Sequence, residues 1–483
     1  MTPNRSTASG SSLLHAAFLR TVRKEPHRRL LCGRPGGPWL TAGQIARRVE
    51  ALAARLGEHG LTRGRVALLP VGNRPAFLIA ALAVWKRGAV LLPVEESLPA
   101  AGLAQLAKRF SASVIVRGPA RLRGLPAVLA LAPRGTRSAR LHPPDLPRGA
   151  CLVRLTSGTA GEPQAVVCTA RQLVADGRAI LRAMGIRRDD LTIGAIPAGH
   201  AYGFGNLVLP LILQGSPLLL LGRPLPALLA RVFRMRRPTV FPAVPYLLDL
   251  LARQPGARAG GLRLCISAGA PLPRSVAKAF FARFGIPVRN FFGASETGGI
   301  AFDGSPMGDA PEGCVGRLLP GVRVSMEPTR IGGLPRGQGR IIVRGPAVAA
   351  GYAPRPSPDL GLGRFRSQDL GWLDEKGRLH LRGRLSERAN VSGRKVHPAE
   401  VERCLLEIPG VTEAVVLALP DALRGHRLEA WVAADGSLDS DLRLGMARRL
   451  PAHKLPRLIH FVRALPRTER GKIDRRRLAG LSQ

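Results

Sequence analysis

The sequence predicts an α/β chain in two unequal parts, and three observations carry this. Apolar strand-like runs alternate with helical stretches from Trp39 to Phe284. From Gly313 the texture shifts to short strands separated by Gly turns, and beyond Gly383-Arg384 a further set of helices and strands begins. Alternation of strand and helix implies a largely parallel sheet covered by helices, and a switch of texture implies a second unit. The expected organisation is a large region, 1–383, of parallel α/β subdomains plus a small β-rich subdomain, followed by a small α+β domain, 384–483. A chain of 483 residues also exceeds what one core usually serves.

In order, Leu14 to Val22 reads as a short helix. Thr41 then stands as an N-cap with Gln44 three residues on, and Ile45, Val49, Leu52, Ala53 and Leu56 recur at helical spacing until Gly60. Val66 to Pro70 reads as a strand, Arg74 to Arg87 as a helix and Gly88 to Pro93 as a strand. Leu98 to Phe110 is helical and Ala112 to Val116 is strand again. Pro119 to Arg148, rich in Pro and Arg, reads as a surface connection. Val166-Val167-Cys168 is a strand, and Thr169 caps the next helix with Gln172 completing the box. Leu191 to Ile196, Thr239 to Pro245 and Leu262 to Ser267 continue the strands, and Ala277 to Phe284 is helical. Val322 to Val324, Gly339 to Arg344 and Arg378 to Leu381 are the short strands of the β-rich part. In the last part, Pro398 to Leu406 and Leu442 to Leu450 read as helices, Val411 to Leu417 and Glu429 to Val432 as strands.

The formal net charge is +41, which raises the possibility of a nucleic-acid or membrane-surface partner. Arg is scattered through the chain rather than gathered on one face or tail, so a compositional drift is favoured and no specific nucleic acid is expected. A weakly basic docking surface for an acidic carrier protein is a third reading. Six cysteines without paired or His-clustered spacing read as reduced, buried thiols of a cytoplasmic protein. Met1 to Ser12 is polar and reads as a frayed end rather than a signal peptide. No apolar run reaches the ~18 to 20 residues of a membrane span.

One stretch is chemically conspicuous. After the apolar run Ala150 to Val153 come Thr156-Ser157-Gly158-Thr159-Ala160-Gly161-Glu162-Pro163. Small residues let several backbone N–H groups and hydroxyls converge on one anion, as a phosphate cradle requires. No Gly-Lys-[Ser/Thr] closes it, so it is not a Walker loop. Taken alone, the stretch reads equally as an ordinary turn.

Five more segments stand beyond it in the chain: Gly269-Ala270-Pro271; Phe292-Gly293-Ala294-Ser295-Glu296; Ser367-Gln368-Asp369; Gly383-Arg384 through Gly393 to Glu400; and Pro466 to Gly471-Lys472. With these six motifs in this order, the chain resembles the adenylate-forming, AMP-binding superfamily, which includes acyl- and aryl-CoA synthetases. The resemblance spans nearly the whole chain.

The resemblance implies a two-step reaction. A small-molecule carboxylic acid attacks the α-phosphate of ATP to give acyl-AMP and pyrophosphate, and a thiol, CoA or the phosphopantetheine of an acidic acyl carrier protein, then takes the acyl group. It implies that Thr156, Ser157, Gly158, Thr159 and Gly161 hold phosphate, and that Gly269, Ala270, Pro271 and Phe292, with Gly293 and Ser295, surround the adenine. Asp369 and Arg384 would bind the ribose, Glu296 would hold Mg²⁺, and His200 would sit beside the carboxylate. Lys472, which by position alone reads as a solvated lysine in a basic tail, becomes the catalytic cation of the first step. The small domain would swing about a hinge near Leu385-Ser386, and Gly393 would line the thiol tunnel.

Amino-acid-activating relatives carry an aspartate where His200 stands, so a plain organic or fatty acid is expected. His200, Phe204, Val244, Ala268 and Gly269 are the pocket candidates. The chain departs from the pattern at Gln164, where the family has lysine, at Gln368 beside Asp369, and at Ser386 and Glu387 near the hinge. Two rivals remain: an acyl-AMP ligase dedicated to a carrier protein, and an impaired nucleotide-binding protein lacking the loop lysine.

Overall fold

Two reciprocal caps open the main helices of the first half. Thr41 Oγ1 accepts the Gln44 N–H while Gln44 Oε1 accepts the Thr41 N–H, starting helix Ala42–Glu58. Thr169 and Gln172 do the same for helix Ala170–Met184, which Gly185 ends at φ 57°, a left-handed conformation that favours glycine. These elements belong to a computed structural model that describes residues 12–117, 127–130, 146–156, 164–222, 224–235, 237–255, 260–269, 272, 274–305, 313–328, 337–384, 389–396, 398–434, 439–466 and 475–482.

Among the described residues the strands form three sheets. The first runs, in spatial order, Gly351–Ala353, Gln164–Thr169, Ala150–Thr156, Val90–Pro93, Val66–Leu69, Ala112–Arg117, Ala127–Ala130. Its inner ladders are parallel. Helix Pro75–Lys86 crosses between two of these strands, apolar all round until Lys86 because it is buried all round. Both margins are antiparallel, around the largely parallel centre that the sequence predicts. Ala150–Thr156 and Gln164–Thr169 form a hairpin, because the loop between them is too short for a crossover. Ala127–Ala130, inside the stretch expected to be only a connection, pairs antiparallel with Ala112–Arg117.

The second sheet begins as a parallel array of Arg29–Cys32, Leu218–Leu220, Thr192–Gly194, Val240–Ala243, Leu264–Ser267 and Val288–Ala294. It does not stop there. Val288–Ala294 turns back into Gly298–Phe302, and antiparallel ladders continue through Cys314–Leu318, Arg378–Arg384, Arg364–Leu373 and Gly339–Arg344 to Arg323–Glu327. The β-rich part therefore shares one hydrogen-bonded path with the α/β array. The third sheet contains Ala389–Val391, Arg394–Val396, Val411–Asp421, Gly425–Ala434 and Leu458–Val462. With helices Pro398–Leu406 and Asp439–Ala447 it encloses a core of its own around Val401, Leu405, Val416 and Leu442.

The carboxyl ends of the parallel strands point the same way. Pro93, Ser267 and Ala294, at the ends of their strands, all reach one large cavity, as do Ala195 and Val244 just beyond theirs. That is where open α/β sheets bind ligands, because the loops leaving those ends diverge. No described helix is long and apolar enough to cross a membrane.

Candidate active site

The cavity occupies about 3800 Å³ between the two large sheets and the third. Thr156, His200, Gly269 and Phe292 line it, and so do Gly293, Ser295, Asp369 and Gly393. Residues drawn from five of the six motifs therefore share one space. Ser157 to Pro163, Ala270, Pro271, the hinge at Leu385-Ser386 and Lys472 lie outside the described residues. Arg384 stands opposite Asp369 in the ladder between Arg364–Leu373 and Arg378–Arg384.

Phe292-Gly293 closes the strand Val288–Ala294, and Ser295 to Thr297 turn the chain into Gly298–Phe302. Glu296 sits on that turn, buried, with Oε1 accepting the Tyr352 hydroxyl at 2.8 Å. Tyr352 comes from Gly351–Ala353, which belongs to the other sheet, so this buried bond fastens the turn to that sheet. Asp369 is buried on its strand, and its N–H is held by Ser367 Oγ at 3.0 Å. No cluster of three potential metal-binding side chains occurs among the described residues. Glu296 is not among the residues that line the cavity; Mg²⁺ takes one or two protein oxygens and completes its shell with phosphate and water, and this carboxylate would supply one of them.

His200 caps the short helix that begins at Ala201, and its side chain is 46% open to the cavity. Enclosure in the cleft, then the charges of Arg394 and Arg154, lower its pKa to about 4, while the Glu95 carboxylate lies 4.0 Å from its Nε2. Phe204, expected in the pocket surface, is instead fully buried behind it, edge-on to Trp85. Its ring packs in the core cluster with Trp85, and the Arg154 guanidinium covers its other side. Val244, Ala268 and Gly269 do line the cavity.

The third sheet docks directly onto this site. Asn390 Nδ2 donates to the Gly269 carbonyl, and the Arg424 guanidinium lies 5.6 Å from the Tyr246 ring centroid. Glu95, just beyond strand Val90–Pro93, has Oε2 at 3.4 Å from His453 Nδ1 and 3.9 Å from Arg394 Nη1. Burial pushes the Glu95 carboxyl up, against the pull of Arg394 and Lys454. Glu95 and His453 escaped the sequence reading, and Arg394 entered it only as part of the motif from Gly393 to Glu400. The adjacent pair Glu95-Glu96 after an apolar strand was the signal available.

Two further cavity residues were missed. Arg154 interrupts the apolar strand before the Gly-rich loop, and Asp176 interrupts a helix face. Both are buried. Burial raises the Asp176 carboxyl to about 6, opposed by the Gly299 N–H and the charge of Arg154.

Gln164, where the motif carries lysine, begins the strand after the loop. Gln164→Lys is expected to tighten ATP binding about tenfold, the worth of one charge-assisted hydrogen bond to phosphate. The KM for ATP in pyrophosphate exchange checks this, and an unchanged KM means another cation already serves the phosphates.

Thr156, just ahead of the Gly-rich stretch, shares this strand-end cleft with Phe292, Asp369 and Gly393, and the class of protein that carries these motifs is the AMP-forming acid–thiol ligases. The family described as "AMP-binding enzyme" matches residues 18–353, and "AMP-binding enzyme C-terminal domain" matches residues 400–472. The chain belongs to the AMP-binding enzyme family. It is 31% identical over 481 residues to a feruloyl-CoA synthase of Amycolatopsis sp, covering 94% of this chain and 96% of that protein. It is 31% identical over 385 residues to a benzoate–CoA ligase of Thauera aromatica, covering 76% and 71%. Among solved structures, the amide bond synthetase McbA from Marinactinospora thermotolerans superposes with TM-score 0.79 at 27% identity, over 97% of this chain and 99% of that one.

Proposed function

We propose that the chain joins a small aromatic or related organic acid to CoA, through acyl-AMP, at the expense of ATP and with Mg²⁺. One observation carries the reading. Gly393 of the third sheet's loop lies against Val244 and Gly269 in the same cavity as His200, Phe292 and Asp369. The acid-binding and nucleotide-binding walls are thus roofed by the loop that the thiol would pass.

In the first step, carboxylate and triphosphate repel each other, so cations and N–H dipoles must offset charge building on the α-phosphate. Thr156 and the loop after it would cradle phosphate, Glu296 would hold Mg²⁺ against it, and Lys472 would bridge the carboxylate and α-phosphate. Magnesium supplies the divalent charge that no protein group can. Phe292 would stack on adenine, with Asp369 and Arg384 at the ribose. His200, being neutral, can pack beside the carboxylate without trapping it as an ion pair. In the second step Lys472 would leave and the thiol would enter past Gly393. We place the domain boundary at residue 384, with the pivot just after it. The free, buried cysteines suit a reducing, cytoplasmic setting.

The test is ATP–pyrophosphate exchange over a panel of benzoic, cinnamic and fatty acids, followed by thioester formation with CoA. Exchange with an aromatic acid and its conversion to an acyl-CoA are expected. Exchange with no acid would sink the reading. Exchange without CoA transfer, but with transfer to an acyl carrier protein, would replace CoA by a carrier.

A further inference from the structure

Strand Ala150–Thr156 lies in the middle of a buried sheet, where both faces call for apolar side chains. Val153 and Leu155 meet that demand on one face, and Leu152 begins to meet it on the other. The next residue on the second face is Arg154, 4% exposed, and it lines the cavity. Its guanidinium lies 5.2 Å from the Phe204 ring centroid, and Nη1 makes a long bond to the Ser295 carbonyl at 3.4 Å. Nε and Nη2 are buried with no partner among the described residues. A buried cation with idle donors is costly unless something arrives to use them.

Asp176 faces the same recess, 3% exposed. Its Oδ1 accepts the Gly299 N–H at 2.9 Å. Gly298, at φ 67°, makes room for it, since any side chain there would run into the Asp176 carboxylate. Among the described residues Arg154 and Asp176 form no direct ion pair, though the Asp176 carboxyl feels the Arg154 charge. Ile180, Tyr202 and Phe291 give the rest of the recess an apolar wall, with Tyr202 and Phe291 stacked at 5.8 Å.

A group that both accepts and donates completes such a pair, and a hydroxyl is the smallest one. It can accept from Arg154 and donate to Asp176. The spacing suits an aromatic ring. His200 caps the helical turn on which Phe204, under Arg154, is the fourth residue further on. Four residues is about 6 Å of helix rise, close to the reach of a benzene ring from its carboxyl carbon to a para oxygen. We propose that Arg154 and Asp176 form the polar floor of the acyl recess and select hydroxyaryl acids, the hydroxyl lying at the end of the molecule opposite the carboxylate.

This rests on the acid–CoA ligase reading above. A different role for Arg154, on the ATP phosphates in place of the loop lysine, is disfavoured by Asp176, whose negative charge faces the same recess. It is also disfavoured by position, since Arg154 lies two residues, about 6.7 Å, deeper along the strand than Thr156.

The test compares 4-hydroxybenzoate with benzoate, and 4-hydroxycinnamate with cinnamate, by kcat/KM in pyrophosphate exchange. A site built to hydrogen-bond a hydroxyl rejects the analogue without it, so a preference of about 100-fold or more is expected. Arg154→Met should collapse that preference toward unity while the KM for ATP stays within about twofold, and Arg154→Lys should restore part of it. If Arg154→Met does not fold, Arg154→Gln and calorimetric binding of the four acids to the wild-type protein decide the matter on the same ratio. Equal use of hydroxylated and plain acids overturns the proposal but leaves the ligase reading standing. A raised KM for ATP with the hydroxyl preference intact overturns it in favour of a phosphate role. Exchange with none of the acids fails the ligase reading itself, and this proposal with it.

Discussion

Lys472→Ala is expected to lower the rate of acyl-AMP formation by about 10³-fold while an independently synthesised acyl-AMP is still converted to its thioester at a near-normal rate. Removing one neutral, preorganised donor from a developing oxyanion costs about 10² to 10³ in rate. Lys472 would contribute a full charge at the point where two anions meet, so the upper end of that range applies. The second step has no such meeting. Acyl-AMP has already lost its pyrophosphate, and the nucleophile attacks a carbonyl. Pyrophosphate exchange reads the first half-reaction, and single-turnover thioester formation from acyl-AMP reads the second. Equal loss in both halves would show that Lys472 supports the domain rather than the adenylation chemistry.

Gly393→Leu is expected to do the reverse, slowing thioester formation by about 10²-fold with exchange retained within a few-fold. Two features of the backbone require this. Gly393 has φ 83°, where a residue with a Cβ is strained by about 1–2 kcal/mol. A Cβ there would also stand 3.1 Å from Val244 Cγ1, on the wall opposite. A leucine would both strain the loop and fill the gap between Gly393, Val244 and Gly269, through which a pantetheine arm would pass. Gly377, at φ 70° with open space around it, is the control. Gly377→Leu carries the same backbone strain and should leave both half-reactions intact. A matched fall in exchange and transfer for Gly393→Leu would mean that the loop shapes the nucleotide site rather than the thiol path.

What the sequence made legible was local or motif-borne. Thr41 with Gln44 and Thr169 with Gln172 announce their helices because a capping box is complete within four residues. Helix Pro398–Leu406 lies where the apolar spacing put it. The three-residue strand Leu218–Leu220 escaped because it is defined only by its partners Arg29–Cys32 and Thr192–Gly194, far off in sequence. Likewise, no local pattern reveals that Gly351–Ala353 leaves the β-rich part to pair with Gln164–Thr169. In the cleft, His200, Phe292, Asp369 and Gly393 came from motifs. Arg154, Asp176 and Glu95 did not, since a charge in an apolar run has a meaning only once its neighbours are known. Arg154 acquires its surroundings from three separate segments.

All six cysteines are buried and unpaired. Desolvation also holds the thiols of Cys151, Cys168, Cys265, Cys314 and Cys404 above the usual range, which suppresses the reactive thiolate. Slow reaction of these native thiols with maleimide reagents is the expected result, with Cys314 and Cys404, which line the cavity, the first to react. One cysteine introduced at exposed Glu58 and another at exposed Arg448 would take a fluorophore pair selectively. Energy transfer between them would show whether the third sheet moves against the other two during a single catalytic turnover.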